Sequence, residues 1–403
     1  MSYDLLASAV NHPDRIRPLW GLFNHRSLHA LTQVGVDVTA TVPRPRAPPV
    51  GPYSEYRQIP GADQSFTYPV FHPRFLYYLP KSLLYHRTGD SMASALSSWH
   101  EDRVGDFDVF HGCHLYPDGY ALQTATASGR TVTAYAHGTI INEFDSFNRP
   151  TQRRISETLA SLDRVFCSGE AIRQRALEIE PSADAETVPI GANPANFPTE
   201  SREQLREELK IPADATVVLF CGHLTEKKGV RDLLNVLPDL DTESLYLVFI
   251  GHGGDLRTGV QQALRRPDSP PGKLQWQLHP VAVRRWFAAA DLLVLPSYSE
   301  GRPTVIYEAM ASRTPVLATE VGGVPEQVDA GTTGWLIDPG DTETLRARLN
   351  TLPAEKLPRM GIAAEQRLRE EGWTWDAHAR SIRRAHRNLL ATGLTSGPPA
   401  QNS

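Results

Sequence analysis

Two glutamates flank a predicted helix start in a way that suits the binding of a phosphorylated ligand. Glu300 lies in a loop, and Glu308 follows after seven intervening residues, more than one turn into the helix. Pro303 suits the first helical position, where its missing N–H costs no hydrogen bond. The N–H groups of Thr304 and Val305 then face out of the helix end, where the helix dipole favours an anion. The two carboxylates would meet hydroxyl-rich groups on either side of a phosphate, which is the shape of a nucleotide-sugar.

An apolar run places this segment at the edge of a predicted parallel sheet. Leu292–Leu295 is typical of a buried parallel strand. Pro296, Ser297 and Gly301 then end the strand and open the loop. A glutamate pair with this spacing also occurs by chance on solvent-exposed helix faces, so the bare pair does not decide between a site and a surface.

Length and composition predict an ordinary globular protein of two domains. The chain has 403 residues, which is too long for one core. Its 40% hydrophobic and 22% charged residues are typical, and a net charge of -5 gives no reason to expect nucleic-acid binding. Cys113, Cys167 and Cys221 are far apart, as free thiols in a reducing cytoplasm would be. We expect a cytoplasmic protein, because no signal peptide opens the chain and no apolar run reaches membrane-spanning length.

Short apolar strands alternate with amphipathic helices in both halves, which predicts an α/β fold with parallel sheets covered by helices. The predicted strands are 5–10, 36–42, 108–111, 131–136, 164–167, 216–220 and 245–250, and the predicted helices include 22–34 and 373–390. The segment 188–198 is rich in proline and has no helical period, so we expect it to link two domains. The tail after Leu390 has the composition of a disordered segment.

The segment 299–310 resembles the retaining glycosyltransferases of family 4, whose signature is two glutamates separated by seven residues. Glu300 and Glu308 match this signature. The segments 291–297, 315–319 and 322–326 resemble the strand before the signature and the strand and turn after it. These surroundings favour a binding site over a chance pair.

The resemblance extends over nearly the whole chain and implies the GT-B architecture, in which two Rossmann-like parallel-sheet domains face each other across a cleft. The expected parts are an acceptor-side domain at 1–190, a nucleotide-sugar donor domain at 191–372, a helix at 373–392 that crosses back to the first domain, and a disordered tail at 393–403.

A lysine-containing loop after the strand 216–220 resembles the family's Gly-Arg-Leu…Lys-Gly loop, which grips the donor diphosphate. Lys228 matches the family's lysine, but His223 occupies the arginine position. A histidine can donate to a phosphate oxygen, yet it is only partly charged near neutral pH. Lys227 or Arg302 would supply the missing charge. The alternative is an ordinary lysine-rich helix start, which is disfavoured because cations there oppose the helix dipole.

Two first-half loops resemble other parts of the family's site. His137 follows the predicted strand 131–136 and resembles the histidine of a His-Gly loop beside the reacting sugar. Its alternative is a structural histidine bonded to backbone. Gly21 opens the first long helix and resembles a glycine loop that approaches the diphosphate.

Metal ligands are conceivable in two places but are not favoured. His111, Cys113 and His114 do not have a recognised zinc spacing, and no fourth ligand is evident. Asp106 and Asp108 mimic the Asp-x-Asp metal site of the other glycosyltransferase fold, yet they precede a first-half strand far from the predicted donor site.

The stretch 64–89 is basic, aromatic and free of acidic residues between Gln64 and Gly89. Such a stretch suits an anionic membrane surface. It suits equally a helix packed on its own domain, with its aromatic side chains in the core.

The resemblance implies a retaining glycosyltransferase that moves a hexose-type sugar from a nucleotide diphosphate donor to a glycan or lipid-linked acceptor in cell-surface polysaccharide or glycoconjugate synthesis. We expect no cofactor and no metal, and a UDP-sugar rather than a GDP-sugar. The alternatives are a GT-B nucleotide-sugar epimerase and a non-catalytic GT-B partner subunit. The predicted catalytic residues are His137, Lys228 and Glu300, and the predicted substrate-binding residues are Gly21, His223, Lys228, Glu300, Gly301, Arg302, Pro303, Thr304, Val305 and Glu308.

Overall fold

Two separate parallel sheets organise the chain. The computed structural model describes residues 2–8, 22–45, 62–63, 68–78, 82–100, 107–126, 129–251 and 253–393. The chain divides into unit 1, Met1–Ile190 with Trp375–Ser403, and unit 2, Gly191–Thr374. The chain enters unit 2 within the predicted linker. Gly21, Asp106 and the tail beyond residue 393 lie outside the described residues.

Unit 1 is built on an eight-stranded sheet of order β10-β9-β8-β7-β1-β2-β5-β4. All its strand pairs are parallel except β4 with β5. A separate parallel ladder joins β3 to β6. The strands are β1 (Asp4–Ser8), β2 (Asp37–Thr41), β3 (Arg44–Pro45), β4 (Ala62–Asp63), β5 (Val70–Phe71), β6 (Arg74–Phe75), β7 (Val109–Gly112), β8 (Thr131–Ala136), β9 (Arg164–Cys167) and β10 (Ala185–Thr187).

One helix of unit 1, α5 (Arg149–Ser161), begins at a side-chain cap that the sequence supplies. Asn148 caps this helix by accepting a hydrogen bond from the Thr151 N–H over 3.0 Å, with a proline in the first turn. The helices of unit 1 are α1 (Leu22–Gln33), α2 (Arg87–His100), α3 (Tyr120–Ala125), α4 (Thr139–Asn142), α5 (Arg149–Ser161) and α6 (Glu170–Ile179).

Unit 2 is a doubly wound sheet of order β13-β12-β11-β14-β15-β16 with every pair parallel. The strand order reverses between β11 and β14, and ligands of such sheets bind outside the carboxyl ends of the strands at that point. The strands are β11 (Thr216–Gly222), β12 (Leu245–Gly251), β13 (Gly272–Trp276), β14 (Leu292–Leu295), β15 (Val316–Thr319) and β16 (Gly334–Ile337). The helices are α7 (Arg202–Leu209), α8 (Val230–Val236), α9 (Arg257–Ala263), α10 (Pro280–Ala289), α11 (Thr304–Ala311), α12 (Val324–Gln327), α13 (Thr342–Asn350) and α14 (Leu357–Glu370).

The last helix, α15 (Trp375–Gly393), returns to unit 1 and packs against α1 and β8. Ala379 and Ile382 on its apolar face are fully buried. Within the described ranges, no helix combines the length and the apolarity that a membrane crossing needs.

The stretch 64–89 is not a single helix in its described part. Its residues form the short strands β5 and β6 and a series of turns, and helix α2 begins only at Arg87. Phe75 and Tyr85 are buried in the core of unit 1, while Leu76, Leu83 and Leu84 are exposed. The aromatic residues therefore serve the core and the leucines face solvent.

A network of buried histidines connects α15 to the sheet of unit 1. His386 lies 2.8 Å from the Tyr3 hydroxyl and 3.0 Å from the Thr133 hydroxyl, and His111 lies 2.9 Å from the same threonine. Burial lowers the pKa of His111 to about 3 and that of His378 to about 4. Burial also lowers the pKa of His386 well below its usual range. These rings are therefore neutral in the folded protein near pH 7.

We expect the free energy of unfolding to fall as the pH is lowered below about 6.5, because histidines in the unfolded chain bind protons there while the buried rings of the folded protein stay neutral. The neutral histidines stabilise the folded protein fully above about pH 6.5. This stabilisation is lost as the pH falls toward the folded pKa values of His111 and His378, which are about 3 and about 4. Each ring accounts for at most about 1.4 kcal/mol per pH unit. Urea unfolding of the wild type and of His386→Gln between pH 7 and 5 measures how the free energy of unfolding depends on pH. Because carboxylates also titrate, the decisive result is a shallower pH slope in the variant, and equal slopes would contradict the prediction.

Candidate active site

The segment after β14 has the predicted layout of strand, loop and helix. All four residues of β14 are buried, and α11 begins at Thr304. Pro303 is the residue before the helix rather than its first position, with φ -66° and ψ 127°, and no side chain caps this helix end. The first-turn N–H groups of Thr304 and Val305 therefore lie where the helix dipole favours a negative charge.

The loop places Glu300 against Lys228. The Lys228 ammonium donates to both carboxylate oxygens of Glu300, over 2.6 and 2.7 Å. The Ser297 hydroxyl donates to one of these oxygens over 2.7 Å. Glu300 is 7% exposed, whereas a quarter of the Lys228 side chain is exposed. The structure thus joins two groups that lie 72 residues apart in the chain, and it leaves the ammonium within reach of solvent.

A glycine makes this pairing possible. Gly229 has φ +65°, and a Cβ on it would lie 1.7 Å from the Pro296 carbonyl oxygen. A larger residue would therefore push the loop after β11 away from the loop after β14. The Tyr298 N–H donates to the Lys227 carbonyl over 2.9 Å and holds the two loops together. The Lys-Gly sequence is thus needed for packing as well as for charge.

The end of β15 supports the same loop from the other side. The Gly323 N–H donates to the Gly301 carbonyl over 2.6 Å, and the Thr319 hydroxyl donates to the Ser297 carbonyl. The amide of Gln327 donates to the Pro303 carbonyl over 3.2 Å. The Glu300 loop is therefore fixed at several points by the ends of neighbouring parallel strands.

His223 and Glu308 lie near the end of β11. His223 is partly buried and packs over Gly253, and the Leu224 N–H donates to the Gly253 carbonyl over 2.7 Å. Glu308 is partly buried in the second turn of α11. Burial raises the pKa of the Cys221 thiol, and the negative charge of Glu308 raises it further, which places this carboxylate near the last residues of β11.

Arg302 is engaged within unit 2. It is 7% exposed, its guanidinium lies 3.2 Å from a Glu326 oxygen, and it stacks 4.6 Å from the centroid of a Trp373 ring. Lys227, by contrast, has an exposed side chain. Of the two residues expected to replace the charge that His223 lacks, Lys227 is the more accessible.

His137 lies in unit 1, at the carboxyl end of β8. Its Nε2–H donates to the Cys113 carbonyl over 3.0 Å, and its ring centroid lies 4.4 Å from that of Tyr135, with the two rings tilted by 39°. Burial lowers its pKa well below the usual range, and the nearby His114 lowers it further, so the ring is neutral. This backbone bond is the structural role given above as the alternative for His137.

One further pair is not predicted from the sequence. His114, which the sequence presents as a conceivable metal ligand, donates its Nδ1–H to the Asp118 carboxylate over 2.7 Å. The four-residue separation was the available signal. Among the described residues, no group of three or more His, Cys, Asp and Glu side chains is arranged to hold a metal. Asp108, from the considered Asp-x-Asp pair, accepts the Asp4 N–H over 2.9 Å.

Comparisons with known proteins agree with this fold. The family model "Glycosyl transferases group 1" matches residues 201–371. A D-inositol 3-phosphate glycosyltransferase of Streptomyces scabiei (strain 87.22) is 30% identical over 320 residues, covering 70% of this chain and 69% of the relative. TuaC of Bacillus subtilis (strain 168), named as a teichuronic acid biosynthesis glycosyltransferase, is 28% identical over 321 residues, covering 78% and 80%. The chain belongs to the group 1 glycosyltransferases.

Solved structures confirm the architecture. Sucrose-phosphate synthase from Thermosynechococcus elongatus matches with a TM-score of 0.81 at 20% identity, over 97% of this chain and 100% of that one. Anabaena Alr3699/HepE, solved with UDP and glucose, matches with a TM-score of 0.72 at 17% identity, over 96% and 100%. At these identities the likeness shows the fold alone. The predicted GT-B fold with two Rossmann-like domains is confirmed.

If Lys228 lies beside the donor diphosphate, as the sequence predicts, Lys228→Ala should lower turnover by a factor of about 10²–10³, because a cation there matters most when charge builds in the transition state. Lys228→Arg should rescue poorly, since a planar fork does not replace a compact ammonium. The matched control is Lys227→Ala, which removes a neighbouring exposed lysine and should change turnover much less. Steady-state rates of nucleotide release measure all three. Equal damage from both alanine variants would mean that both lysines serve the phosphates, and no damage from either would place the diphosphate elsewhere.

Proposed function

We propose that the protein is a retaining glycosyltransferase of family 4 that moves a hexose-type sugar from a nucleotide diphosphate to a glycan or lipid-linked acceptor. The observation that carries this proposal is the pairing of Lys228 with Glu300 beside the uncapped start of α11. The name of the TuaC relative supports an acceptor in cell-surface polysaccharide or glycoconjugate synthesis.

The donor's charge determines how the pair would act. In the structure, the Lys228 ammonium donates to both carboxylate oxygens of Glu300. A diphosphate at the start of α11 would draw the ammonium toward itself, together with the N–H groups of Thr304 and Val305. Glu300 would then hold sugar hydroxyls and stabilise positive charge at the anomeric carbon. Negative charge on the leaving diphosphate would be stabilised by preorganised donors and not by a metal.

The remaining predicted residues would bind or position the donor. Glu308 would accept hydrogen bonds from the ribose, and His223 would donate to a phosphate oxygen. Gly301 and Pro303 would shape the loop, and Arg302, held by Glu326, would position it. We propose a UDP-sugar as the donor and no cofactor.

The anomeric configuration would be retained because the acceptor oxygen attacks the anomeric carbon from the same face that the diphosphate leaves. The acceptor oxygen bonds to the anomeric carbon as the bond from that carbon to the phosphate oxygen breaks. The acceptor proton passes to the leaving phosphate. We propose that His137 lies beside the reacting sugar. Its ring is neutral and would therefore add no charge there.

A donor panel tests the function. Calorimetry with UDP-, GDP- and ADP-sugars should find one class that binds, and product analysis should show transfer to an added acceptor with retained configuration. Turnover should survive EDTA, since side-chain and backbone donors take the place of a metal. Conversion of the donor alone would indicate an epimerase, and binding without turnover would indicate a non-catalytic subunit.

For the class of nucleotide-sugar that binds, Glu308→Ala should weaken nucleotide binding about 10- to 150-fold, because the ribose hydroxyls lose a charged acceptor.

We also propose that the stretch 64–89 makes peripheral contact with an anionic membrane. Leu83 is 76% exposed and Leu76 is 50% exposed. The same stretch of sequence contains Arg74, Lys81 and Arg87, of which Lys81 lies outside the described residues. Exposed apolar side chains flanked by positive charge suit an anionic interface. Reversing Arg74, Lys81 and Arg87 to Glu should abolish binding to anionic vesicles at low salt while leaving nucleotide affinity intact. Neutral vesicles are the control, and failure of the wild type to bind anionic vesicles would remove the proposal.

A further inference from the structure

A chain of hydrogen bonds links Tyr3, just before β1, to a small cavity in unit 1, and none of its members has a role in the proposed function. The Tyr3 hydroxyl lies 2.8 Å from His386 Nδ1, and His386 Nε2 lies 3.0 Å from the Thr133 hydroxyl. The same hydroxyl lies 2.9 Å from His111 Nδ1. All four side chains are buried. Because both rings are neutral, each has one N–H and one lone pair, so the protons of the chain can be ordered in only two directions.

Tyr3 decides between the two directions. Within the described part of the chain, His386 is the one hydrogen-bond partner of the Tyr3 hydroxyl, and burial raises the pKa of Tyr3 so that it keeps its proton. A buried O–H without an acceptor costs free energy, so Tyr3 donates to His386 Nδ1. The Nε2–H of His386 then donates to Thr133, whose hydroxyl donates to His111 Nδ1. The remaining nitrogen of His111, Nε2, therefore carries an N–H that needs an acceptor.

This N–H belongs to a residue that lines a cavity. No other described residue forms a hydrogen bond with Nε2 of His111. The space beside His111 that the centre of a water molecule can occupy is about 10 Å³. Such a space holds one water molecule and excludes a larger ligand. Asn24 and Ser27 of α1 line the same cavity.

The two α1 side chains supply acceptors at this cavity. The Asn24 amide nitrogen lies 3.4 Å from His114 Nε2, which leaves the amide oxygen of Asn24 as an acceptor. His378 Nδ1 donates to the Pro189 carbonyl over 3.0 Å, so His378 Nε2 accepts the Ser27 hydroxyl over 2.8 Å. The Ser27 oxygen keeps lone pairs for a further donor. A water molecule has the two protons that these two acceptors can take.

We propose that this cavity binds one water molecule, which accepts a hydrogen bond from the Nε2–H of His111 and donates to the amide oxygen of Asn24 and the hydroxyl oxygen of Ser27. Three partners are typical of a buried water. The water joins β7 to α1, and through the bond between Ser27 and His378 it joins both to α15. The inference concerns the interior of unit 1 and stands independently of the transferase function.

Nitrogen-15 NMR of labelled histidines and a high-resolution crystal structure of the wild type test the proposal. At pH 7 the spectra should place the ring proton on Nε2 in His111 and His386 and on Nδ1 in His378. The electron density should contain a water about 2.7–3.2 Å from His111 Nε2 and from the two α1 oxygens. A proton on Nδ1 of His111 overturns the inference. So does a cavity without water in a crystal structure that shows ordered water elsewhere in the interior.

A variant of α1 tests what the water contributes. Asn24→Leu removes one acceptor and fills the cavity, so the His111 N–H loses its partner. The folding equilibrium constant should fall about 5- to 150-fold, as measured by urea unfolding, and the water should be missing from the crystal structure. The matched control is Gln33→Leu, which makes the same kind of change at an exposed position of α1 and should alter stability little. Equal stability of the two variants overturns the inference. If Asn24→Leu does not fold, the wild-type spectra and density still decide.

Discussion

The buried carboxylate of Glu300 is the constraint on which the site in unit 2 depends. A carboxylate with 7% exposure is stable only with partners, and Lys228 and Ser297 supply them. Removing one partner of a buried pair leaves an uncompensated charge and costs about 3–5 kcal/mol. The close packing of Gly229 on Pro296 brings the two loops near enough for the pair to form. The same contact that stabilises the loop therefore sets the position of the ammonium that a diphosphate would meet.

Unit 1 also contains a buried carboxylate, but neutral groups are its hydrogen-bond partners. Asp118 is as deeply buried as Glu300, but its partners are an imidazole and a hydroxyl and not a lysine. Around it, burial keeps His111, His137 and other rings neutral. A neutral polar edge suits hydroxyl groups, whereas the cationic edge of unit 2 suits phosphate. The two sheets thus present different chemistry at their carboxyl ends.

Local patterns predicted the strands well and the contacts poorly. Three strands, β8, β9 and β14, have the predicted bounds, and each is a mainly apolar run that ends at polar or turn-forming residues. β11 and β12 extend beyond the predicted ranges 216–220 and 245–250 and end at Gly222 and Gly251. The stretch 64–89 does not form the single helix that was one of its two interpretations, because its mixture of aromatic and basic residues fits short strands as well as a helix. The partners of Lys228 and Arg302 come from other elements, and no local period encodes them.

Arg302 shows why a plausible ligand-binding charge can be structural. The family pattern made it a candidate for the phosphates, but a guanidinium stacks on an aromatic face and pairs with a carboxylate better than an ammonium does. In unit 2 it does both, with Trp373 and Glu326. The Trp373 carbonyl in turn accepts the Ala192 N–H over 3.1 Å, so the segments by which the chain enters and leaves unit 2 meet there. The loop that carries Glu300 is therefore anchored, through Arg302, to the point where both chain connections of unit 2 come together.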